Sequence, residues 1–256
     1  MKDPPDAIYT YFHMHPSRIA ELLQPFLHDA NDQRLPLACP ELSKGTNDAL
    51  YKYISTYIDI LLRWNARINL TAIRNEEEIV TRHFGESFFA ARHLFPDAHV
   101  GTAPQACPER SRRDCAAEPS SAVRLADLGS GAGFPGLPIK LWAPDIALTL
   151  IESNHKKATF LREVVRALTL TEIDIMNVRA ETITLTFDVV TFRAVEGFAD
   201  ALHVARTLLA PAGRLALLIS SSQLPTAQSA LPDIVWRAPI PIPQSQSRQL
   251  LVGCLS

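Results

Sequence analysis

Apolar residues in the first hundred positions recur at helical spacing, whereas beyond Val123 they gather into short, dense runs. In "TNDALYKYISTYIDILLRWNARINLT" (46–71), Leu50, Ile54, Tyr57, Ile58, Leu61 and Leu62 fall three or four apart. That spacing predicts an amphipathic helix with Thr46 or Asn47 as its N-cap and the polar "NARIN" stretch at its far end. Ser17–Leu27 reads as a shorter helix and Glu76–Phe95 as a third. The acidic run Glu76–Glu78 suits a first turn, where carboxylates meet the positive end of the helix dipole. From Val123 the pattern changes to runs at 123–129, Ile146–Glu152, 173–180, Phe187–Ala194 and Gly213–Ser220. They are rich in Val, Ile and Leu and lack alternation, as expected of strands buried on both faces of a parallel sheet. Helical stretches lie between them: 154–170, with Leu161, Val164, Val165 and Leu168 on one face, and 199–209. Segments 233–243 and 248–256 supply the last strand candidates. The predicted fold is α/β, a doubly wound, mostly parallel sheet with an N-terminal helical appendage.

Between the two patterns, Gly101–Ala122 has no period and mixes prolines, serines and charges. It divides the chain into a helical region (1–100), an exposed loop or insertion (101–122) and a ligand-binding domain (123–256). Arg110, Arg112 and Arg113 in that loop are read as solvated.

The first strand runs into "DLGSGAGFPG". Four glycines in eight residues exceed what a tight strand-to-helix turn requires and point to a ligand cradled by the main chain. Gly131, Gly133 and Gly136 match the dinucleotide pattern G-x-G-x-x-G. Gly129, Gly131 and Gly133 match the G-x-G-x-G loop of S-adenosylmethionine-dependent methyltransferases. Glu152, ending the second strand, stands where either cofactor class places a carboxylate on ribose hydroxyls. Asp127 leans the choice toward S-adenosylmethionine, since a carboxylate there repels pyrophosphate and attracts an ammonium. Its alternative role is to bond the amides of its own turn.

Composition narrows the partners. A net charge of −2 exerts no global pull on nucleic acid, so RNA binding would need a local patch. No window approaches the roughly 20 apolar residues of a membrane span, and Pro4 and Pro5 interrupt any signal-peptide core. Cys39, Cys107, Cys115 and Cys254 are scattered as free thiols, and the eight histidines form no metal-binding spacing, so no metal is expected.

Four stretches in order, "RWNARINLTAIR" (Arg63–Arg74), "RHFGES" (Arg82–Ser87), "LADLGSGAGFPGLPIKL" and "FRAVE" (Phe192–Glu196), resemble the bacterial 16S rRNA guanine-N7 methyltransferases, the glucose-inhibited division protein B family. The resemblance runs from about Ile19 to the C-terminus, leaving out 101–122. It implies a Rossmann-like class I methyltransferase using S-adenosylmethionine on 16S rRNA or the 30S subunit, as a cytoplasmic monomer. Carried over by position, cofactor contacts fall on Gly129, Phe134, Glu152, Ala180, Glu181 and Arg193, with Asp127 and Gly131 in the same loop. RNA contacts fall on Asn69, Arg82 and His83, and Arg193 lies near both ligands as the catalytic residue. Plainer roles stay open: core packing for Trp64, a helix C-cap for Asn69, a buried imidazole for His83. The chain departs from the family pattern at Phe192 (Ser), Ile219 (Lys), Gln249 (His) and Cys254 (Lys), which weakens phosphate contacts on that side. Guanine N7 carries no proton, and "TFRAV" offers no Asp, Cys or N-P-P-[YF] motif for removing one. Two other functions are compatible with the residues: a methyltransferase with a small-molecule or protein acceptor, and a cofactor-binding protein that has lost RNA methylation.

Overall fold

The computed structural model describes residues 14–27, 44–98, 122–195 and 197–255. The insertion therefore lies, except for Ala122, outside the described residues, as do Glu196 and three of the four cysteines. Helix α1 (Pro16–Leu27) and the long α2 (Lys44–Asn65) open the described chain. Helix α2 begins before Thr46 and Asn47, so neither stands at its N-terminus as expected. A continuous helical segment follows, made of α3 (Glu76–Glu78), π-helical turns Ile79–Gly85 and α4 (Glu86–Leu94). Asn75 caps it by accepting from the Glu78 N–H at 2.9 Å, and the three glutamates occupy the first turn.

The remainder alternates as the apolar runs predict. It comprises β1 (Arg124–Leu128), α5 (Gly136–Trp142), β2 (Ala147–Ile151), α6 (His155–Ala167), β3 (Ile173–Met176) and β4 (Phe187–Arg193). Then come α7 (Phe198–Thr207), β5 (Leu209–Ser220), α8 (Leu224–Ala230), β6 (Ile234–Trp236), β7 (Ile240–Pro241) and β8 (Arg248–Leu255). The strand order is β3-β2-β1-β4-β5-β8-β6, with β7 also paired to β8. Strands β1 to β5 are parallel, and β8 joins β5 antiparallel. The single strand predicted at 233–243 is two short ones, because Pro239, in the gap between them, removes a ladder donor.

Successive strand residues feed opposite faces of the sheet. Leu125, Leu148, Val189 and Leu218 enter one core cluster, and Ala126, Ile151, Val190 and Leu217 the other. Both faces are covered, which is why the strands read as unbroken apolar runs. The first cluster also contains Ile19, Leu23, Phe26, Ile54, Tyr57, Leu61, Phe84 and Phe88. The N-terminal helices thus share a core with the sheet. That packing brings Tyr57 and His83 beside the glycine loop.

Candidate functional site

The carboxyl ends of β1, β2 and β4 place Gly129, Glu152 and Arg193 at one end of the sheet. In such sheets ligands bind at that end, above the first β–α turn. Gly129, Gly131 and Gly133 all have positive φ (65°, 54° and 83°), a backbone that carries the chain round the turn. The turn is tied down by Ser130 N–H to Ile151 O (3.0 Å) and Ser130 Oγ to Asp127 O (2.8 Å). A Cβ on Gly131 would have only Gly129 O nearby, at 3.7 Å, so main chain faces open space there.

Two carboxylates flank this loop. Glu152 accepts from Gly131 N–H (2.9 Å) and Asn154 N–H (2.7 Å), which fixes both its oxygens beside the glycines. Asp127 is fully buried; Oδ2 accepts from Gly136 N–H at 3.1 Å and Oδ1 has no partner. Burial pushes its carboxyl up to about 7, against the hydrogen bond from Gly136. The bond to Gly136 is the turn-bonding role left open by the sequence. Oδ1 is thus a buried acceptor without a donor.

Aromatic rings form the floor. Phe134 stacks on Tyr57 (centroids 5.2 Å, 8° between planes) and on His83 (4.6 Å, 14°), while Phe84 meets it edge-on at 5.1 Å. Tyr57 Oη donates to Ala132 O, pinning the loop to α2.

Arg193 is held from three directions. Its guanidinium, 11% exposed, donates to Arg82 O (2.7 Å), lies 3.4 Å from His83 Nδ1 and pairs with Glu86 at 3.2 Å. A guanidinium only donates, so His83 Nδ1 accepts and Nε2–H is left to donate to Thr71 Oγ1 (2.8 Å). Glu86 is 1% exposed, and its other oxygen takes Arg248 Nε at 2.6 Å. Burial lowers the Arg193 pKa, and the neighbouring carboxylate opposes that shift. Sequence reasoning missed Glu86 and Arg248. The signal was an acid inside "RHFGES", on a segment otherwise apolar enough to be buried.

Burial and the Arg193 and Arg82 cations push His83 down to about 3. An unfolded histidine titrates near 6.5, so below that pH the unfolded chain binds a proton that the native state refuses. The linked stability is complete above about pH 6.5 and is lost as pH falls toward 3, by up to about 1.4 kcal/mol per pH unit. Asp127, whose pKa is raised, acts in the opposite sense between the carboxylate range and 7, so the variant difference is the informative quantity. From pH 7 to pH 5 the stability gap between wild type and His83→Gln, measured by urea unfolding, is expected to narrow by about 2 kcal/mol. A gap constant with pH would mean that His83 takes up its proton normally.

Arg82 and His83 therefore meet Arg193. Arg82 also pairs with Glu78 at 2.6 Å. Asn69 is exposed and is not the cap of α2. Asn65 does that work, accepting from Leu70 N–H (2.9 Å) and Thr71 N–H (3.1 Å) and donating to Thr71 O. Ala180 and Glu181 form a single 3-10 turn beyond β3, with no direct bond to the glycine loop. Trp64 donates to Glu163 at 2.8 Å and packs edge-on against Phe160. Of the positions departing from the family pattern, Phe192 and Ile219 are core residues, and Gln249 lies opposite Ile219 in the β5–β8 ladder. Cys254 lies half-buried opposite Arg214 in the same ladder. Among the described residues there is no cluster of metal-binding size, and no helix is long and apolar enough to cross a membrane.

Comparison with known proteins identifies the family and the fold. The GidB family, described as rRNA small subunit methyltransferase G, matches residues 50–102 and 115–230 and skips the middle of the insertion. A ribosomal RNA small subunit methyltransferase G from Xylella fastidiosa is 35% identical over 202 residues, covering 77% of this chain and 82% of the relative. One from Halorhodospira halophila is 35% identical over 203 residues, covering 77% and 84%. Among solved structures, the ribosomal protein L11 methylase of Lactobacillus delbrueckii subsp. bulgaricus shares the fold. Its TM-score is 0.50 at 13% identity, covering 72% of this chain and 81% of that one. With the glycine loop, the aromatic floor and the family match in agreement, the chain belongs to the rRNA small subunit methyltransferase G family.

Proposed function

We propose that this protein transfers a methyl group from S-adenosylmethionine to N7 of a guanine in a loop of 16S rRNA, acting as a cytoplasmic monomer on free rRNA or the 30S subunit. The cofactor, when bound, supplies an electrophilic methyl carbon on a sulfonium sulfur. The residues fit it in two respects. The open main chain at Gly131 is a cradle that a Cβ would fill, and Asp127 Oδ1 is a buried acceptor without a donor. In this reading Gly129, Gly131 and Phe134 hold the cofactor, Glu152 binds the ribose, Asp127 favours the ammonium, and Ala180 and Glu181 border the base. Asn69 and Arg82 face RNA, and His83, buried behind them, positions Arg193. The helical region 1–100 presents the RNA to the domain 123–256.

One observation carries the choice of acceptor: both nitrogens of His83 are engaged, one by Arg193 and one by Thr71, and the residue stays neutral. A histidine so placed orients and stacks and is not poised to take a proton. Guanine N7 needs no base, since its in-plane lone pair is free, and displacement then depends on alignment. In this reading Arg193 is the catalytic residue by alignment: its guanidinium donates to the purine carbonyl and holds N7 in line with the methyl carbon, while the positive charge passes from sulfur to the base. An unstacked loop base can reach a site at the end of the sheet, whereas a paired one cannot.

Purified protein incubated with labelled S-adenosylmethionine and either naked 16S rRNA or 30S particles is expected to place one methyl on guanine N7. Folded protein giving no transfer to either substrate would rule the reading out. Calorimetry with S-adenosylmethionine and with NADH would then separate a cofactor-binding protein without RNA activity from a dinucleotide enzyme.

A further inference from the structure

The charges of this chain are not evenly spread. The end of α2 and helix α6 touch through Glu163, which takes Arg63 at 3.3 Å and Trp64 at 2.8 Å. Together α6, the last turn of α2 and the turn that follows it carry Arg63, Arg67, Lys156, Lys157, Arg162 and Arg166 against that single carboxylate, in a chain whose net charge is −2. Arg63, Arg67, Lys156, Arg162 and Arg166 are exposed. Arg162 and Arg166 also line an open groove between α6 and the sheet-edge strand β3, where Asp174 is the one acid among the lining residues.

Helix stability does not explain this arrangement. Lys156 and Lys157 occupy the first turn of α6, which has no acidic residue, so they oppose the helix dipole. Arg162 and Arg166 are like charges four apart, a pairing that costs a helix a few tenths of a kcal/mol. The strip starts beside the site, since α6 follows Glu152 and its cap Asn154, and it extends about 20 Å down the helix. That length spans several phosphates of a nucleic-acid strand.

We propose that the end of α2 and the exposed face of α6 form a phosphate-binding track that holds the rRNA strand flanking the target nucleotide. The proposal rests on the rRNA-modifying reading above. It locates the affinity that the overall charge does not provide, on the side of the molecule away from the positions where the family's lysines are replaced by Ile219 and Cys254. Each phosphate contact contributes about −0.7 to −0.9 to the slope of log affinity against log salt.

The test compares wild type with the quadruple variant Arg67→Gln, Lys156→Gln, Arg162→Gln, Arg166→Gln and with the control Arg206→Gln, Arg237→Gln. Binding of labelled 16S rRNA is followed from low to moderate salt, alongside the KM and kcat of methyl transfer. The quadruple variant is expected to lose about 3 from the salt slope and at least about tenfold in RNA affinity. Its KM for RNA should rise, with kcat, S-adenosylmethionine binding and melting temperature held. The control should keep the wild-type slope. A quadruple variant with the wild-type slope and KM overturns the track and leaves the methyltransferase reading standing. Wild-type protein that neither binds nor methylates rRNA overturns both.

Discussion

Replacing Arg193 with alanine is expected to reduce methyl transfer to rRNA by about 10²–10³-fold, the usual cost of losing one well-placed donor at a reacting centre. The structure adds a second effect that the sequence did not suggest. From sequence alone the variant should keep its fold. Glu86, however, is 1% exposed and divides its oxygens between Arg193 and Arg248. Removing one arginine leaves a buried carboxylate half compensated, which costs about 3 kcal/mol. Activity loss in Arg193→Ala is therefore confounded with instability, and the double variant Arg193→Met, Glu86→Gln separates them. A neutral amide in place of the carboxylate still accepts from Arg248, so most of the stability in urea should return while the transfer rate stays low. A stable double variant with wild-type turnover would remove Arg193 from the chemistry.

The Glu86 result shows where sequence reading succeeds and where it stops. Strands β1, β2, β4 and β5 were legible because a sheet covered on both faces buries side chains on each and so gathers dense apolar runs, which are local; β3, at the sheet edge, keeps Asp174 exposed. The glycine loop was legible because three positive φ values within five residues demand glycine. The Glu86–Arg193–Arg248 cluster joins residues from α4, β4 and β8, more than 160 positions apart at its ends. No spacing rule connects them, since only the fold brings β8 beside β5 and α4 over that ladder. Asn69 illustrates a different limit. In "WNARIN" the sequence offered Asn69 as the residue ending α2. The choice fell to Asn65 because its side chain, at the last helical residue, reaches the returning chain at Leu70 and Thr71.

The glycine loop yields the second large effect, because neighbouring glycines serve different ends. At Gly133, φ is +83° and a Cβ would overlap the Tyr57 hydroxyl and lie 2.7 Å from Leu137 Cδ1. Tyr57 cannot retreat: it is fully buried, stacked on Phe134 and bonded to Ala132 O. Gly133→Ala is therefore expected to cost about 3 kcal/mol or more, combining left-handed strain with overpacking. At Gly131, φ is +54°, and a Cβ would meet nothing closer than Gly129 O at 3.7 Å. Gly131→Ala should cost only the backbone strain, about 1–2 kcal/mol, and the protein should remain folded at 25 °C. Its new methyl nevertheless occupies the open side of the loop, where the cofactor approaches the main chain. Calorimetry is expected to show at least about tenfold weaker S-adenosylmethionine binding, since the close approach permitted by glycine is lost. Gly131→Ala binding the cofactor as wild type does would mean that the ligand sits elsewhere on the sheet end. Gly133→Ala melting as wild type does would mean that Tyr57 is free to move.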